Sequence, residues 1–289
     1  ELGMQVLFVE KPSLLAKKLG LLIENENSLN KLKSLDSRLK NIHIMGIAGA
    51  GASAVAGIAK ASGYKVSGCD LNPESPYAQN IKVKIIKGHS ANHLKDNDAL
   101  IISPAVAKSD PKNQEIQKAK EKKIPPMTWQ KFQGKFLQNG KFVITTAGAY
   151  GKSTTTAMIS QILTEANLDP TCEIGAKVLS WGSNFRIGKS KYYICESDEY
   201  NNNFLNYRPD IAVVLNVAWD HPDFFRSEKD LQDSYIKFIN NIKPGGFLIT
   251  TDKVLNLIGW SSREDIKTIR IIDFGKLSLS IIGDFRIEN

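Results

Sequence analysis

A glycine-rich turn in the middle of the chain has the residue types to bind a polyphosphate. Gly148 and Gly151 punctuate the turn between an apolar strand and a helix that starts at Lys152. Such a turn directs several backbone N–H groups into one hollow at a helix N-terminus, where the helix dipole also favours negative charge. The ammonium of Lys152 could reach the outer phosphates, and the hydroxyl of Ser153 or Thr154 could ligate Mg²⁺.

This turn is shorter than the usual phosphate-binding pattern, G-x-x-x-x-G-K-[ST]. Thr146 stands where the first glycine would be, and the sequence reads G-A-Y-G-K-S-T-T-T instead. The alternative is a β-α turn that binds nothing, but a Gly-Lys-Ser tripeptide directly after a strand favours phosphate. The predicted ATP-binding residues are Gly148, Ala149, Tyr150, Gly151, Lys152, Ser153 and Thr154.

Two further strands end in side chains that bind metals. One apolar strand ends in three carboxylates within four residues, at Glu196, Asp198 and Glu199. Like charges this close are costly unless a cation offsets them, so a divalent metal is one interpretation and a solvated acidic loop is the other. A later apolar strand runs into a segment that contains His221.

Strands and helices alternate along the chain, which predicts an α/β fold with parallel sheets. Ligands then gather at the carboxyl ends of the strands. The turn before Lys152, the carboxylate of Glu196 and the imidazole of His221 would converge on one edge of a sheet, which is the geometry that a Mg-ATP site requires. We predict these three residues as catalytic, and Ser153, Glu196 and His221 as metal ligands.

A second glycine loop follows the strand that begins near Ile42. It resembles the dinucleotide pattern G-x-G-x-x-G with Ala48 in the place of the middle glycine, and Asp70 lies 19 residues after Gly51, where an acid would meet a ribose. The loop predicts contacts to the phosphates or ribose of a nucleotide without saying which one. An NAD-dependent enzyme is therefore one alternative, although it would leave the other glycine turn unexplained.

Composition is that of an ordinary globular protein with about two domains. The 289 residues are 42% hydrophobic and 24% charged. No apolar run approaches the roughly 18 residues of a membrane span, and the first 20 residues lack the pattern of a secretory signal. We expect a cytoplasmic protein with no membrane partner.

The net charge of +8 does not by itself indicate a nucleic-acid partner. Most of the excess lies in residues 108–141, which hold nine lysines against three acids. A helix predicted over residues 113–123 carries several of these lysines on different faces, without interleaved aromatic residues. A solvated helix beside small anionic substrates explains this pattern at least as well as RNA, so we expect no nucleic-acid partner.

The cysteines and one histidine pair predict no metal chemistry. Cys69, Cys172 and Cys195 are isolated along the chain, which indicates neither a disulfide framework nor a zinc site, so buried free thiols are expected. His89 and His93 lie four residues apart in a polar segment, and we interpret them as surface histidines rather than as a metal pair.

Several motifs, in consistent order, resemble the Mur ligases, the ATP-dependent amide-forming enzymes of peptidoglycan precursor synthesis. The runs A-G-A-Y-G-K-S-T-T-T, E-S-D-E-Y-N and W-D-H-P-D-F-F are similar to the central ATPase domain of this family. The upstream runs H-I-M-G-I-A-G-A-G-A-S and I-I-S-P-A-V are similar to its N-terminal UDP-sugar domain. Within the family, the pattern is most similar to members that join L-alanine to UDP-N-acetylmuramate.

The resemblance implies a reaction and a role for each site residue. ATP would phosphorylate the lactoyl carboxylate of UDP-N-acetylmuramate, and the amine of L-alanine would attack the acyl phosphate. Lys152 would stabilise the transferring phosphoryl group, Ser153 would hold one Mg²⁺, and Glu196 and His221 would hold a second. The implied UDP-sugar site consists of Gly46, Gly49, Gly51, Ala52, Ser53, Asp70 and Ser103.

The resemblance also implies a division of the chain. We expect an unassigned extension over residues 1–40, a Rossmann-like UDP-sugar domain over 41–140, and a P-loop NTPase-like ATP-binding domain over 141–289. The family's C-terminal domain would be missing after Asn289, so we expect this polypeptide alone to ligate poorly. Two alternatives within this frame are a ligase for a recycled murein tripeptide and a non-catalytic UDP-sugar-binding paralogue. The sequence does not predict the oligomeric state.

Overall fold

The computed structural model describes residues 39–271 and the backbone of residues 287–288. The predicted N-terminal extension therefore lies almost wholly outside the described residues, as does most of the segment from Ile281 to Asn289 that resembles a family motif. No helix within the described ranges is long and apolar enough to cross a membrane.

The first sheet consists of five parallel strands in the order β3-β2-β1-β4-β5. The order reverses between β1 and β4, and a crevice for ligands forms at such a point, outside the carboxyl ends of the strands. A Rossmann-like parallel sheet was predicted and is confirmed. The strands are β1 (Asn41–Met45), β2 (Lys65–Asp70), β3 (Ile85–Lys87), β4 (Ala99–Ile102) and β5 (Pro126–Thr128), and the helices are α1 (Ala50–Ala61), α2 (Pro104–Ser109), α3 (Gln114–Glu121) and α4 (Trp129–Phe132).

The second sheet has eight strands, and its path runs β12-β11-β10-β6-β9-β7-β13, with β8 paired to β7. All pairs are parallel except those that β7 makes with β8 and β13. The strands are β6 (Phe142–Ala147), β7 (Thr171–Val178), β8 (Ser183–Arg186), β9 (Tyr192–Ser197), β10 (Ile211–Val214), β11 (Phe247–Thr250), β12 (Lys267–Arg270) and β13 (Ile287–Glu288), and the helices are α5 (Lys152–Glu165), α6 (Glu228–Asn240) and α7 (Asp252–Ile258).

The strands at the centre of this sheet are short apolar runs because helices cover both faces. All four residues of β10 are buried, as are five of the six residues of β6. The predicted domain boundary near Gly140 falls after α4 and the π-helical turn Gln133–Leu137 that continues it, and before β6.

Helix α1 packs between the two sheets and joins their cores. The ring of Phe185 on β8 occupies the space beside Gly57 of this helix. A Cβ atom on Gly57 would lie only 2.3 Å from the ring, so glycine fits here where a larger residue would not. The Nδ2 of Asn184 donates a hydrogen bond of 2.6 Å to the carbonyl of Ala50. One hydrophobic cluster therefore contains both Ile42 of the first sheet and Tyr193 of the second.

The prediction of buried free thiols is confirmed, and the prediction of surface histidines is wrong. Cys69, Cys172 and Cys195 are all free and buried. His89 and His93 are not surface residues, because their side chains are only 10% and 12% exposed and both point at the buried carboxylate of Glu115.

Candidate functional site: a nucleotide site at three adjacent strand ends

The strands β9, β6 and β10 are neighbours in the second sheet and run parallel to one another. Their carboxyl ends therefore lie side by side. The glycine turn that precedes Lys152 directly follows the middle strand, β6. The acidic segment follows β9, and the segment with His221 follows β10. The predicted convergence of three strand ends on one edge is present in the structure.

The turn after β6 has the backbone of a phosphate-binding loop. Gly148 and Gly151 have φ angles of 143° and 83°, which side-chain-bearing residues rarely adopt. Gly151 is the N-cap of α5, so the helix begins at Lys152 and its first N–H groups lie without helical partners at the open end of the turn. These groups and the helix dipole favour an anionic ligand there.

Asn216, just beyond β10, fixes the shape of this turn. Its Nδ2 donates to the carbonyl of Tyr150 at 2.9 Å, and its Oδ1 accepts from the N–H of Tyr150 at 3.2 Å. The phenol of Tyr150 is 67% exposed, so the turn uses the backbone of this residue rather than its side chain. Since the Tyr150 N–H is engaged by Asn216, the phosphates would depend on other N–H groups of the turn.

The ammonium of Lys152 is held at the edge of the sheet by two acceptors. It donates to the carbonyl of Gly148 at 2.6 Å and to Oε2 of Glu199 at 3.2 Å. Glu199 is 2% exposed, and burial raises the pKa of its carboxyl, while the adjacent Lys152 ammonium acts in the opposite direction. A buried carboxylate thus lies beside the lysine that would face the phosphates.

Glu199 also belongs to a group of three residues that could hold a metal. Ligand atoms of Asp198, Glu199 and His221 all lie within 4.8 Å of one another. Carboxylate oxygens are the ligands that Mg²⁺ prefers, and it usually binds to one or two carboxylates together with substrate phosphates. The donor set, directly beside the glycine turn, therefore fits Mg²⁺.

His221 is held in an uncommon backbone conformation. Its φ angle is 57°, and such values in residues other than glycine often mark functional sites. The imidazole packs against the ring of Tyr200 in a tilted arrangement, with 4.6 Å between the ring centroids. The hydroxyl of Tyr200 hydrogen-bonds to Asp223, as does the ammonium of Lys108 from helix α2. These contacts fix the ring of His221 next to Glu199.

The carboxylate of Glu196 does not belong to the group of ligand atoms formed by Asp198, Glu199 and His221. Its Oε1 accepts a hydrogen bond of 2.6 Å from the N–H of Gly175 on β7. Burial raises the pKa of Glu196, and hydrogen bonds from Gly175 and from the Ser153 hydroxyl act in the opposite direction. Ser153 therefore contacts Glu196, and Lys152, whose charge also lowers the pKa of Glu196, makes its ion pair with Glu199 beside His221.

The first glycine loop forms a hollow between β1, β4 and their helices. Gly46 has a φ angle of 77°, and a Cβ atom there would lie 2.8 Å from Cβ of Ser103. A Cβ atom on Gly51 would lie 2.3 Å from the indole of Trp129. Ser103 and Trp129 thus lie directly against this loop. Gly49, which lies between Gly46 and Gly51 in sequence and is the N-cap of α1, is exposed.

Asp70, Ala52 and Ser53 mainly maintain the shape of the loop. The two carboxylate oxygens of Asp70 accept from the N–H groups of Ala48 and Asn72, both at 2.9 Å. Ser53 is fully buried and its hydroxyl donates to the carbonyl of Ala50, and Ala52 is 2% exposed. The side chains of Ala52 and Ser53 therefore face the protein interior, which leaves the N–H groups at the start of α1 for a ligand.

Three residues of the site escaped the sequence analysis. Glu199 is one of the three carboxylates that the sequence places after a strand, but the resemblance gives the metal-binding role to Glu196, which lies within β9. The quoted motifs do not include Asn216 or Trp129. The sequence does contain one indication for Asn216. A polar residue directly after an apolar strand is not expected in the core, so it is a candidate for the site at the strand end.

Models of two protein families match the chain. Residues 41–141 match the catalytic domain of the Mur ligase family, and residues 146–289 match the Mur ligase middle domain. Among curated proteins, the chain is 37% identical to UDP-N-acetylmuramate–L-alanine ligase from Clostridium novyi and 35% identical to the same enzyme from Acetivibrio thermocellus. Both alignments cover 86% of this chain but 53% and 52% of the relatives, so the chain spans about half of their length.

Solved structures agree in fold. A ligase from Neisseria meningitides that joins UDP-N-acetylmuramate to L-alanyl-γ-D-glutamyl-meso-diaminopimelate superposes with a TM-score of 0.70 at 23% identity, covering 80% of this chain and 78% of that one. UDP-N-acetylmuramate–alanine ligase from Thermotoga maritima gives 0.63 at 24% identity, with 80% and 53% covered. With both domain models matching in order and both sheets present, the chain belongs to the Mur ligase family.

Proposed function

We propose that this chain carries the sugar-nucleotide and ATP sites of an enzyme that joins L-alanine to UDP-N-acetylmuramate. The observation that carries the proposal is the convergence of Lys152, Glu199 and His221 at three adjacent strand ends beside a glycine turn. The names of the curated relatives support the choice of substrates. The reaction would be phosphorylation of the lactoyl carboxylate by ATP, followed by attack of the amine of L-alanine.

In this proposal the protein neutralises charge between two anions that must approach each other. The ammonium of Lys152 would leave its contacts with Gly148 and Glu199 to bind the γ-phosphate. The N–H groups at the start of α5 would bind the phosphates, and Asn216 would keep the turn open.

The residues that would hold Mg²⁺ are Glu199, His221 and Asp198, and Ser153 is hydrogen-bonded to Glu196 rather than to this group. This assignment places Glu199 in the role that the sequence gave to Glu196. Bound Mg²⁺ would lower the repulsion between the phosphates and the substrate carboxylate.

The UDP part of the substrate would bind at the first glycine loop. We place its phosphates at the N-terminus of α1, near Gly49 and Gly51, with Ser103 and Trp129 at the walls of the hollow. Asp70 would support this loop through its hydrogen bond to Ala48, rather than bind a ribose on its own.

Two measurements on the 289-residue chain test the proposal. UDP-N-acetylmuramate should raise the melting temperature, whereas NAD should not, because a ligand stabilises the state that binds it. With Mg-ATP, UDP-N-acetylmuramate and hydroxylamine, the chain should form a hydroxamate, since hydroxylamine traps an acyl phosphate without L-alanine. The absence of both stabilisation and hydroxamate would refute the proposal. Stabilisation without hydroxamate would indicate a protein that only binds the UDP-sugar.

The amino-acid substrate needs its own assay. Phosphate release with L-alanine should exceed release with glycine, L-serine or L-alanyl-γ-D-glutamyl-meso-diaminopimelate. Faster release with the tripeptide would instead favour a ligase for recycled murein peptide. We expect slow release in every arm, because the chain spans about half the length of its curated relatives.

A further inference from the structure

A second group of metal-ligating side chains lies inside the first sheet. His43, Cys69, His93 and Glu115 each offer a ligand atom, and these atoms all lie within 4.8 Å of one another. The residues come from β1, from β2, from the loop after β3 and from the start of α3, so the fold, rather than one short motif, brings them together. His89 is adjacent, with its Nδ1 atom 3.1 Å from Sγ of Cys69.

Two of the separations between these atoms fall in the range found around a tetrahedral ion. Zn²⁺ bonds of about 2.0–2.3 Å at tetrahedral angles give ligand separations of roughly 3.3–3.8 Å. Nε2 of His43 lies 3.4 Å from Sγ of Cys69 and 3.5 Å from Oε1 of Glu115, whereas Sγ of Cys69 lies 3.1 Å from Oε2 of Glu115. His93 Nδ1 is hydrogen-bonded to the same Oε1 atom, and this pair would have to move apart for His93 to become the fourth ligand.

Hydrogen bonds outside the group orient His43 for metal binding. Its Nδ1 lies 2.9 Å from Oγ of Ser67, and that hydroxyl donates its own proton to the carbonyl of Ile42. The Ser67 oxygen can therefore accept the Nδ1–H of His43, and Nε2 of the same ring faces Cys69 and Glu115. A partner of this kind on the second nitrogen is the usual support of a histidine that ligates a metal.

Burial and charge are compatible with a divalent ion at this cluster, where Glu115 also accepts hydrogen bonds from Cys69 and His43. His43, Cys69 and Glu115 are all 0% exposed, and the ion pairs described for Glu115 involve only histidines. A buried carboxylate needs a cation or several hydrogen-bond donors. One divalent ion with a thiolate, a carboxylate and two neutral imidazoles is electrically neutral as a unit.

We propose that His43, Cys69, His93 and Glu115 form a structural site for Zn²⁺ or a similar borderline-soft ion. A thiolate with two imidazoles suits Zn²⁺ and does not suit Mg²⁺. The site lies beneath the first glycine loop, since the carbonyl of Cys69 accepts hydrogen bonds from the N–H groups of Gly46 and Ile47. The ion would hold this loop in place, and the inference does not depend on the proposed ligase activity.

The test uses the 289-residue chain carrying His221→Ala, which disables the other group of possible ligands. After removal of bound metal, Co²⁺ should bind at one ion per chain and give both a thiolate charge-transfer band and the intense visible bands of tetrahedral cobalt. Stoichiometric Zn²⁺ should displace it and raise the melting temperature. A chain with a native circular dichroism spectrum that binds neither ion would overturn the proposal.

Variants separate this site from adventitious binding. Cys69→Ser should abolish the charge-transfer band and weaken Zn²⁺ binding at least tenfold, whereas Cys172→Ser, at another buried free thiol, should change neither. Ser67→Ala should weaken binding about tenfold through His43. This variant keeps all four ligands, so it tests the site even if Cys69→Ser does not fold. Binding that is equal in the parent, Cys69→Ser and Ser67→Ala would show that the ion lies elsewhere.

Discussion

The ammonium of Lys152 lies 3.2 Å from Oε2 of Glu199, where the parallel strands β6 and β9 end side by side. Both groups are largely buried, with side chains 17% and 2% exposed. The pair links the glycine turn to the acidic segment. The imidazole of His221 lies beside Glu199 and Asp198, with which it could hold a metal ion. Exchange of this contact for a phosphate would be the first step of nucleotide binding.

Glu199→Gln should weaken Mg²⁺-dependent binding of ATP at least about tenfold, because it removes a carboxylate from the proposed metal group. Glu196→Gln should have a smaller effect, since Glu196 is bonded to Gly175 and Ser153 instead. Titration of nucleotide binding against Mg²⁺ measures both effects, and Glu228→Gln, at an exposed residue in the first turn of α6, is the control. A larger effect at Glu196 than at Glu199 would restore the assignment made from the sequence.

Asn216→Ala should weaken ATP binding about tenfold, because it removes two hydrogen bonds worth about 0.5–1.5 kcal/mol each that hold the turn. Isothermal titration with Mg-ATP measures the loss. Tyr150→Phe is the matched control and should leave affinity unchanged, because the turn uses only the backbone of Tyr150. Equal affinities for Asn216→Ala and the parent chain would show that the turn holds its shape without this residue.

The features of the site that follow from strand order in an α/β fold could be predicted from the sequence. Parallel strands place their carboxyl ends at one edge, so the turn before Lys152 and the segment of His221 could be assigned to one site. The glycines of both loops were equally informative, because Gly46 and Gly151 have φ angles that few other residues adopt.

What the sequence could not predict depends on where a strand stops and on contacts between distant residues. The choice between Glu196 and Glu199 as the acid of the proposed metal group required knowledge of where β9 ends, which is at Ser197. The burial of His89 and His93 could not be predicted, because it depends on their contacts with Glu115. That residue lies more than 20 residues later in the sequence and contacts the histidines through the packing of α3. Periodicity within one segment carries no information on such pairs.

Gly57→Ala should destabilise the protein although alanine is the better helix former. The added Cβ would lie 2.3 Å from the ring of Phe185, and overpacking of this kind costs about 1–3 kcal/mol. Urea denaturation measures the free energy of unfolding. In the background of Phe185→Ala the clash is gone, so Gly57→Ala should there be neutral or stabilising by about 0.5–1 kcal/mol. Equal effects in both backgrounds would show that the two residues are not in contact.

Glu173 on β7 is a buried acid whose cost to stability should depend on pH. It is 2% exposed, and its Oε2 accepts from Nε2 of Gln133 at 3.4 Å. Burial, together with the nearby charge of Glu196, raises the pKa of Glu173 to about 8, from an ordinary value of 4.5. Between these two values the folded protein keeps a proton that the unfolded chain releases.

Because the unfolded chain binds fewer protons in this range, the free energy of unfolding should fall as the pH rises from 4.5 towards 8. Glu173→Gln removes this penalty. The variant should therefore resemble the parent chain near pH 4.5 and become progressively more stable than it up to about pH 8. Urea unfolding at several pH values in Mg²⁺-free buffer measures the difference, with Glu228→Gln as an exposed control that should show no such trend. A difference that stays constant across the range would mean that Glu173 is ionised in the folded protein.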